Sequence, residues 1–144
     1  MSIARIRDIV GGRRLFSIPP GTSLRVAAQM MADNKVGAVA VIEGDRLVGI
    51  LSERDIVFRA VAQGLSADDT TVAEIMTRDP VTVDINDAIS DALAAKTGDA
   101  FRHVPVTENG TVVGVLSYRD IPAEYVMLFE RFREMSSARP GDGA

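Results

Sequence analysis

A stretch that occurs twice constrains this chain more than any other feature. Val48-Gly49-Ile50-Leu51-Ser52-Glu53-Arg54-Asp55-Ile56 returns as Val113-Gly114-Val115-Leu116-Ser117-Tyr118-Arg119-Asp120-Ile121, with seven of nine positions identical. The offset, 65 residues from Val48 to Val113, holds upstream without a gap. Phe16-Ser17-Ile18 falls on Val81-Thr82-Val83, Leu24 on Ile89, Val39 on Val104 and Val41 on Val106. A register kept over that length marks a tandem duplication, and an internal repeat decides the fold before local propensity does.

Each half reads as the same series of elements. Leu15–Ile18 is a strand closed by Pro19-Pro20-Gly21, and Thr22 or Ser23 caps the helix that follows. In that helix Leu24, Ala27, Ala28 and Met31 recur at the spacing of one buried stripe, with Met30 and Met31 read as core. Gly37–Ile42 is apolar enough to be covered on both faces, Glu43-Gly44-Asp45 turns, and Arg46–Leu51 returns. A helix from Ser52 to about Gln63 stops at Gly64, and Ser66–Thr71 is a polar linker.

The second half opens with a helical turn at Thr71–Met76, the counterpart of a short N-terminal helix over residues 2–9. It then gives a strand at Val81–Val83, a helix at Asn86–Thr97, a strand at His103–Thr107, a turn at Glu108-Asn109-Gly110 and a strand at Thr111–Leu116. Pro122 cannot continue a helix begun at Ser117, so a break near Asp120 is expected. A fresh helix then starts with Pro122 at its first position and runs to about Met135, with Tyr125, Leu128, Phe129 and Phe132 as its apolar side.

The expected fold is α/β, a tandem of β-α-β-β-α repeats. The first unit is residues 1–65 with the N-terminal helix, the second 66–135, and 136–144 a disordered tail. One half of about 60 residues is marginal alone, so the two must pack together.

Composition narrows the function. No run of apolar residues is long enough for a membrane span, and the N-terminus lacks the order of a secretory signal. Without cysteine there is no disulfide, thiolate metal site or thiol nucleophile, which suits a cytoplasmic setting. His103 is the only histidine, which argues against a zinc site. A net charge of −4 argues against sequence-independent DNA binding. No nucleophile elbow, Walker loop or dinucleotide fingerprint is present, so the chain reads as a non-enzyme. Arg5, Arg7, Arg13 and Arg14 form either a solvated face or a phosphate-facing cluster.

The strand–turn–strand followed by Gly-hydrophobic-x-Ser-x-x-Asp, twice, resembles the cystathionine β-synthase (CBS) domain pair, also called a Bateman module. Gly49-Ile50-Leu51-Ser52-Glu53-Arg54-Asp55, its second copy and Arg102-His103-Val104-Pro105-Val106 carry the resemblance, which covers roughly residues 5–130. It implies pseudo-twofold repeats with two clefts for an adenosyl ligand: AMP, ADP, ATP, NAD or S-adenosylmethionine. It also implies a stand-alone homodimer that regulates another, unidentified protein, with no cofactor required.

Carried over by position, Ser117, Arg119 and Asp120 would face Ser17, Ile18 and Ala38, with Val39 flanking the base. Ser52, Arg54 and Asp55 would face Thr82, Val83 and His103, with Val104 and Pro105 flanking. The backbones at Ser17–Ile18 and Thr82–Val83 would read the adenine edge.

Physical chemistry allows two readings of Ser-x-x-Asp. It is a capping box, Ser and Asp each taking a backbone N–H at a helix start. It is also a carboxylate able to accept two vicinal ribose hydroxyls, beside donors suited to phosphate. One side chain can do both with different oxygens. His103 is either a hydrogen-bonded filler or a phosphate neighbour. The clefts are unequal, because Gly37-Ala38 stands where the second half has Arg102-His103, and Ala40 stands in place of Pro105. The competing reading is an interaction or dimerisation module whose clefts are vestigial.

Overall fold

The computed structural model describes residues 5–94 and 103–137. Their order is α1 (Ile6–Val10), β1 (Ser17–Ile18), α2 (Leu24–Asn34), β2 (Ala38–Glu43), β3 (Arg46–Ser52) and α3 (Glu53–Asp55). α4 (Val72–Ile75), β4 (Thr77–Arg78), β5 (Val83–Asp84), α5 (Ile89–Ala94), β6 (His103–Glu108), β7 (Thr111–Ser117) and α6 (Ala123–Ser137) follow. The expectations for residues 2–4, 95–97 and 138–144 lie outside the described residues.

The duplication is visible hydrogen bond by hydrogen bond. β1 pairs parallel to β2 with Ile18 opposite Val41, and β5 pairs parallel to β6 with Val83 opposite Val106. Both hairpins, β2–β3 and β6–β7, slip register at equivalent points, Val41/Ile42 and Val106/Thr107. The second hairpin turns at Asn109 and Gly110, both at positive φ (54° and 82°), the geometry for which an Asn-Gly pair is suited.

Two hydrophobic cores result. Leu24, Ala27 and Met31 of α2 meet Val39, Val41 and Leu51 in the first, and Ile89, Val104, Val106 and Leu116 centre the second. Strand side chains alternate between faces, so Ala38 and Ala40 lie opposite to Val39 and Val41. They are buried on the side where β2 and β3 meet β7.

The short helices before each repeat are exchanged. α1 contributes Ile6 and Val10 to the second core, while α4 contributes Val72 and Ile75, with Met76 just after it, to the first. The Ile6 and Arg7 amides donate to the carbonyls of Asp87 (3.0 Å) and Ile85 (2.8 Å), and those of Val72 and Ala73 donate to Thr22 (2.8 Å) and Pro20 (2.9 Å). A division at residue 65/66 follows the repeat in sequence, but packing crosses it in both directions. At the start of α4, Glu74 reaches back to Thr71, whose amide, then hydroxyl, holds the Glu74 carboxyl below its ordinary range.

Several expectations need correction. β4 was not anticipated; it adds a fourth strand to the first sheet, in the order β1-β2-β3-β4, beside the three-stranded β5-β6-β7. The helix after Ser52 is α-helical only to Asp55 and π-helical over Ile56–Val61. α5 begins at Ile89 rather than Asn86, because Asp84, Asp87 and Asp91 carboxylates take the amides of Asn86, Asp84 and Ala88 and hold a turn there. Pro122 sits just before α6, not at its first position, and its carbonyl accepts from Tyr125 (3.0 Å). On α6, Tyr125 and Val126 pack on the second core, but Leu128 is exposed. The side chains of Phe129 and Phe132 lie outside the described residues.

Candidate functional site

Ser52 and Ser117 each end a hairpin in a Ser-x-x-Asp cap. Ser52 Oγ accepts from the Asp55 amide (3.1 Å) and Asp55 Oδ2 accepts from the Ser52 amide (3.0 Å). Ser117 Oγ accepts from the Arg119 amide (3.2 Å) and Asp120 Oδ2 accepts from the Ser117 amide (2.8 Å). The capping reading therefore holds at both copies. What differs is the remaining oxygen of each aspartate.

Asp55 Oδ1 accepts from Thr77 Oγ1 (3.3 Å) and has Arg59 Nε at 3.9 Å. Both its oxygens are engaged inside the protein, and its side chain is only 12% exposed. Asp120 instead has Arg13 Nη1 at 3.1 Å from Oδ2, and among the described residues its Oδ1 takes no hydrogen bond.

The cause lies in the exchanged segments. Met76 packs against Gly49 and Val10 against Gly114, so Thr77-Arg78 beside the first repeat correspond to Gly11-Gly12 beside the second. A hydroxyl plugs one position; at the other, two glycines leave it open. The chain path differs as well. Pro122 holds Ile121 extended (φ −84°, ψ 126°) and ends the turn at Asp120, whereas Val57 lets its helix continue.

A cavity of about 1000 Å³ opens at this second position. Ser117, Arg119 and Asp120 line it from one repeat, and Ala38 with Gly37 from the other. Val36, Phe16 and Val115 give apolar wall, and Tyr118 lines it too. The positive side chains are Arg13, Arg14, Lys35, Arg54 and Arg119, against the carboxylates of Glu53 and Asp120. Arg14 stacks over Phe16 (5.2 Å) and Arg54 over Phe58 (4.7 Å), which orients both guanidiniums without consuming their donors.

Of the residues expected to face Asp120, Ala38 lines the cavity. Ser17 is exposed, and Ile18 and Val39 are in the first core, so none of these three lines it. The wall they were assigned is built by Phe16 and Val36, one to three residues earlier. Strand alternation explains Val39, whose side chain points to α2 rather than to the opposite repeat.

The other expected set is split apart. Arg54 and His103 line the cavity described here, where His103 Nε2 stands beside Gly37, instead of joining Ser52 and Asp55. Ser52, Asp55, Thr82, Val83, Val104 and Pro105 do not line it. Val83 and Val104 are core, Pro105 is fully buried and Thr82 is exposed. The arginine cluster divides too. Arg7 binds Asn86 Oδ1 (3.1 Å) and Glu108 (2.6 Å), tying α1 down, while Arg13 and Arg14 turn into the cavity.

Lys35 was missed by sequence reasoning, yet its backbone is informative. It ends α2 in the left-handed region (φ 55°, ψ 43°), a place that Gly or Asn usually takes. Lys35→Gly is expected to stabilise the fold by about 0.5–1 kcal/mol, strain relief less the added freedom of the unfolded chain. Chemical denaturation measures this; a lower midpoint would mean that the lysine stem packs usefully.

Residues 6–61 and 72–124 each match the CBS domain family. The chain belongs to that family. Among solved structures, CBS domain NE2398 is 34% identical with a TM-score of 0.77, covering 87% of this chain and 99% of that one. CBS domain protein PAE2072 from Pyrobaculum aerophilum, complexed with AMP, is 35% identical with a TM-score of 0.76, covering 88% and 97%. CBS domain-containing protein YhcV of Bacillus subtilis is 30% identical over 75% of this chain and 76% of its own. CBS domain-containing protein CBSCBSPB3 of Arabidopsis thaliana is 32% identical over 87% of this chain but only 23% of its own length. This CBS pair thus spans about a quarter of the Arabidopsis relatives it matches. Among its described residues no helix is long and apolar enough to cross a membrane, and no cluster of His, Cys, Asp or Glu could hold a metal ion.

Proposed function

We propose that this CBS pair is a regulatory module that binds an adenine nucleotide in the cavity beside Asp120 and acts on another protein. The observation that carries the reading is local charge inversion. A chain of net charge −4 gathers five Lys or Arg side chains around one cavity, with an aspartate oxygen still able to accept. A nucleotide matches that set in parts. Its ribose hydroxyls donate to Asp120, its phosphates meet the cations, and its base lies against the apolar wall. The AMP complex of the Pyrobaculum relative supports the ligand class.

The ligands to compare are AMP, ADP, ATP, NAD and S-adenosylmethionine. A ligand held only by the folded state at a hundred times its Kd adds about 2.7 kcal/mol to stability, so the melting midpoint must rise. A flat response to all five in a thermal-shift panel would remove the nucleotide role and leave an interaction module.

Homodimerisation is part of the same proposal. Val57, Phe58 and Val61 after α3, and Met127, Leu128 and Met135 on α6, are each at least half exposed. A second copy would cover apolar surface of that kind. Native mass spectrometry reads mass and any retained nucleotide together, and a monomer across micromolar concentrations would exclude the dimer.

A further inference from the structure

The Arg13–Asp120 ion pair lies where the proposed ligand's sugar would bind, and it carries a consequence for which adenosyl compound is accepted. Asp120 Oδ2 already takes the Ser117 amide (2.8 Å) and Arg13 Nη1 (3.1 Å), so both its lone pairs are used. A diol that spans both carboxylate oxygens must displace the guanidinium. Arg13 is free to leave. Its side chain is 49% exposed, and it follows Gly11-Gly12, with Gly12 at φ +82° and open space where a Cβ would stand. The ion pair is an internal competitor for the sugar, and only a ligand that gives Arg13 a new anion can offset its loss.

We infer that Arg13 makes the cavity selective for phosphate-bearing adenosyl ligands over adenosine and S-adenosylmethionine. This inference rests on the nucleotide reading of the site and narrows it. Phosphate recaptures the displaced guanidinium, in part bidentately, and Arg14 and Lys35 add to its field. Adenosine breaks the pair with no replacement. S-adenosylmethionine brings a sulfonium cation into a cavity that is already positive.

Isothermal titration of the full chain and of Arg13→Gln with AMP, adenosine and S-adenosylmethionine tests it. The wild type should bind AMP at least about tenfold more tightly than adenosine, with S-adenosylmethionine weakest. In Arg13→Gln, AMP should weaken by about tenfold while adenosine tightens severalfold. The opposite signs are the diagnostic, since loss of a simple phosphate contact would leave adenosine unchanged. Adenosine binding that is unchanged or weaker in the variant, with AMP still bound by the wild type, overturns this inference and leaves the proposed function standing. Binding of none of the three by the wild type overturns this inference, and a flat thermal-shift response to ADP, ATP and NAD as well overturns both. Equal melting midpoints for the two proteins show that the half-exposed substitution has not disturbed the fold.

Discussion

Asp120→Ala is expected to weaken AMP binding by roughly ten- to a hundredfold, and Asp55→Ala to leave it within about twofold. The first figure is the worth of hydrogen bonds to a charged group, about 1.5–3 kcal/mol, expressed as affinity. The contrast follows from what each carboxylate already holds. Asp55 is consumed by the Ser52 amide and the Thr77 hydroxyl, whereas Asp120 keeps Oδ1 for a ligand.

Stability supplies the control. Each alanine removes the acceptor for one part-buried amide at a capping box, so each should cost about 1 kcal/mol of folding free energy. Comparable losses of stability with unequal losses of binding are therefore the expected pattern in titration calorimetry and denaturation. Equal affinities in the two variants would remove Asp120 from the site.

The second large effect concerns two glycines at one repeat position. A Cβ on Gly49 would stand 2.6 Å from Met76 Sδ and 2.8 Å from the Thr77 carbonyl oxygen, which is backbone and cannot rotate away. Gly49→Ala should destabilise by about 1–3 kcal/mol through overpacking, and should push β4 off β3. A Cβ on Gly114 would meet Val10 at 3.7 Å, an ordinary contact, so Gly114→Ala should fold with a loss under about 1 kcal/mol. Because Gly114 lines the cavity, its methyl should instead reduce nucleotide affinity. Thermal denaturation of the pair decides the matter: matched midpoints would mean that β4 does not lie tightly on Gly49.

The same two positions show the reach and the limit of the sequence. A 65-residue offset is enough to place Gly49 and Gly114, Val41 and Val106, and the two Ser-x-x-Asp caps in equivalent surroundings, and the hairpins do repeat down to their register slips. Nothing in that periodicity says what lies across from each cap. The segments that decide it, Gly11-Gly12 and Thr77-Arg78 of β4, differ in residue type between the repeats, and each is delivered to the far repeat by the exchange of α1 and α4.

Side-chain direction was the other blind point. The family resemblance puts Val39 and Val104 beside the clefts by position alone, and both side chains point into cores. Arg54 and His103, expected at the cleft of Asp55, line the cavity beside Asp120 instead.

From the sequence alone came the duplication, the order of elements, the serine caps, the family resemblance and Asp55 and Asp120 as equal candidates, since all of these are local or periodic. Tertiary structure alone decided that Asp55 is sealed and Asp120 keeps a free oxygen, that Arg13 pairs with Asp120, and that Lys35 and Arg54 share its cavity. The physical reason is that local hydrogen bonding shapes a capped turn, while the free oxygen of its aspartate is settled by whichever distant segment packs against it.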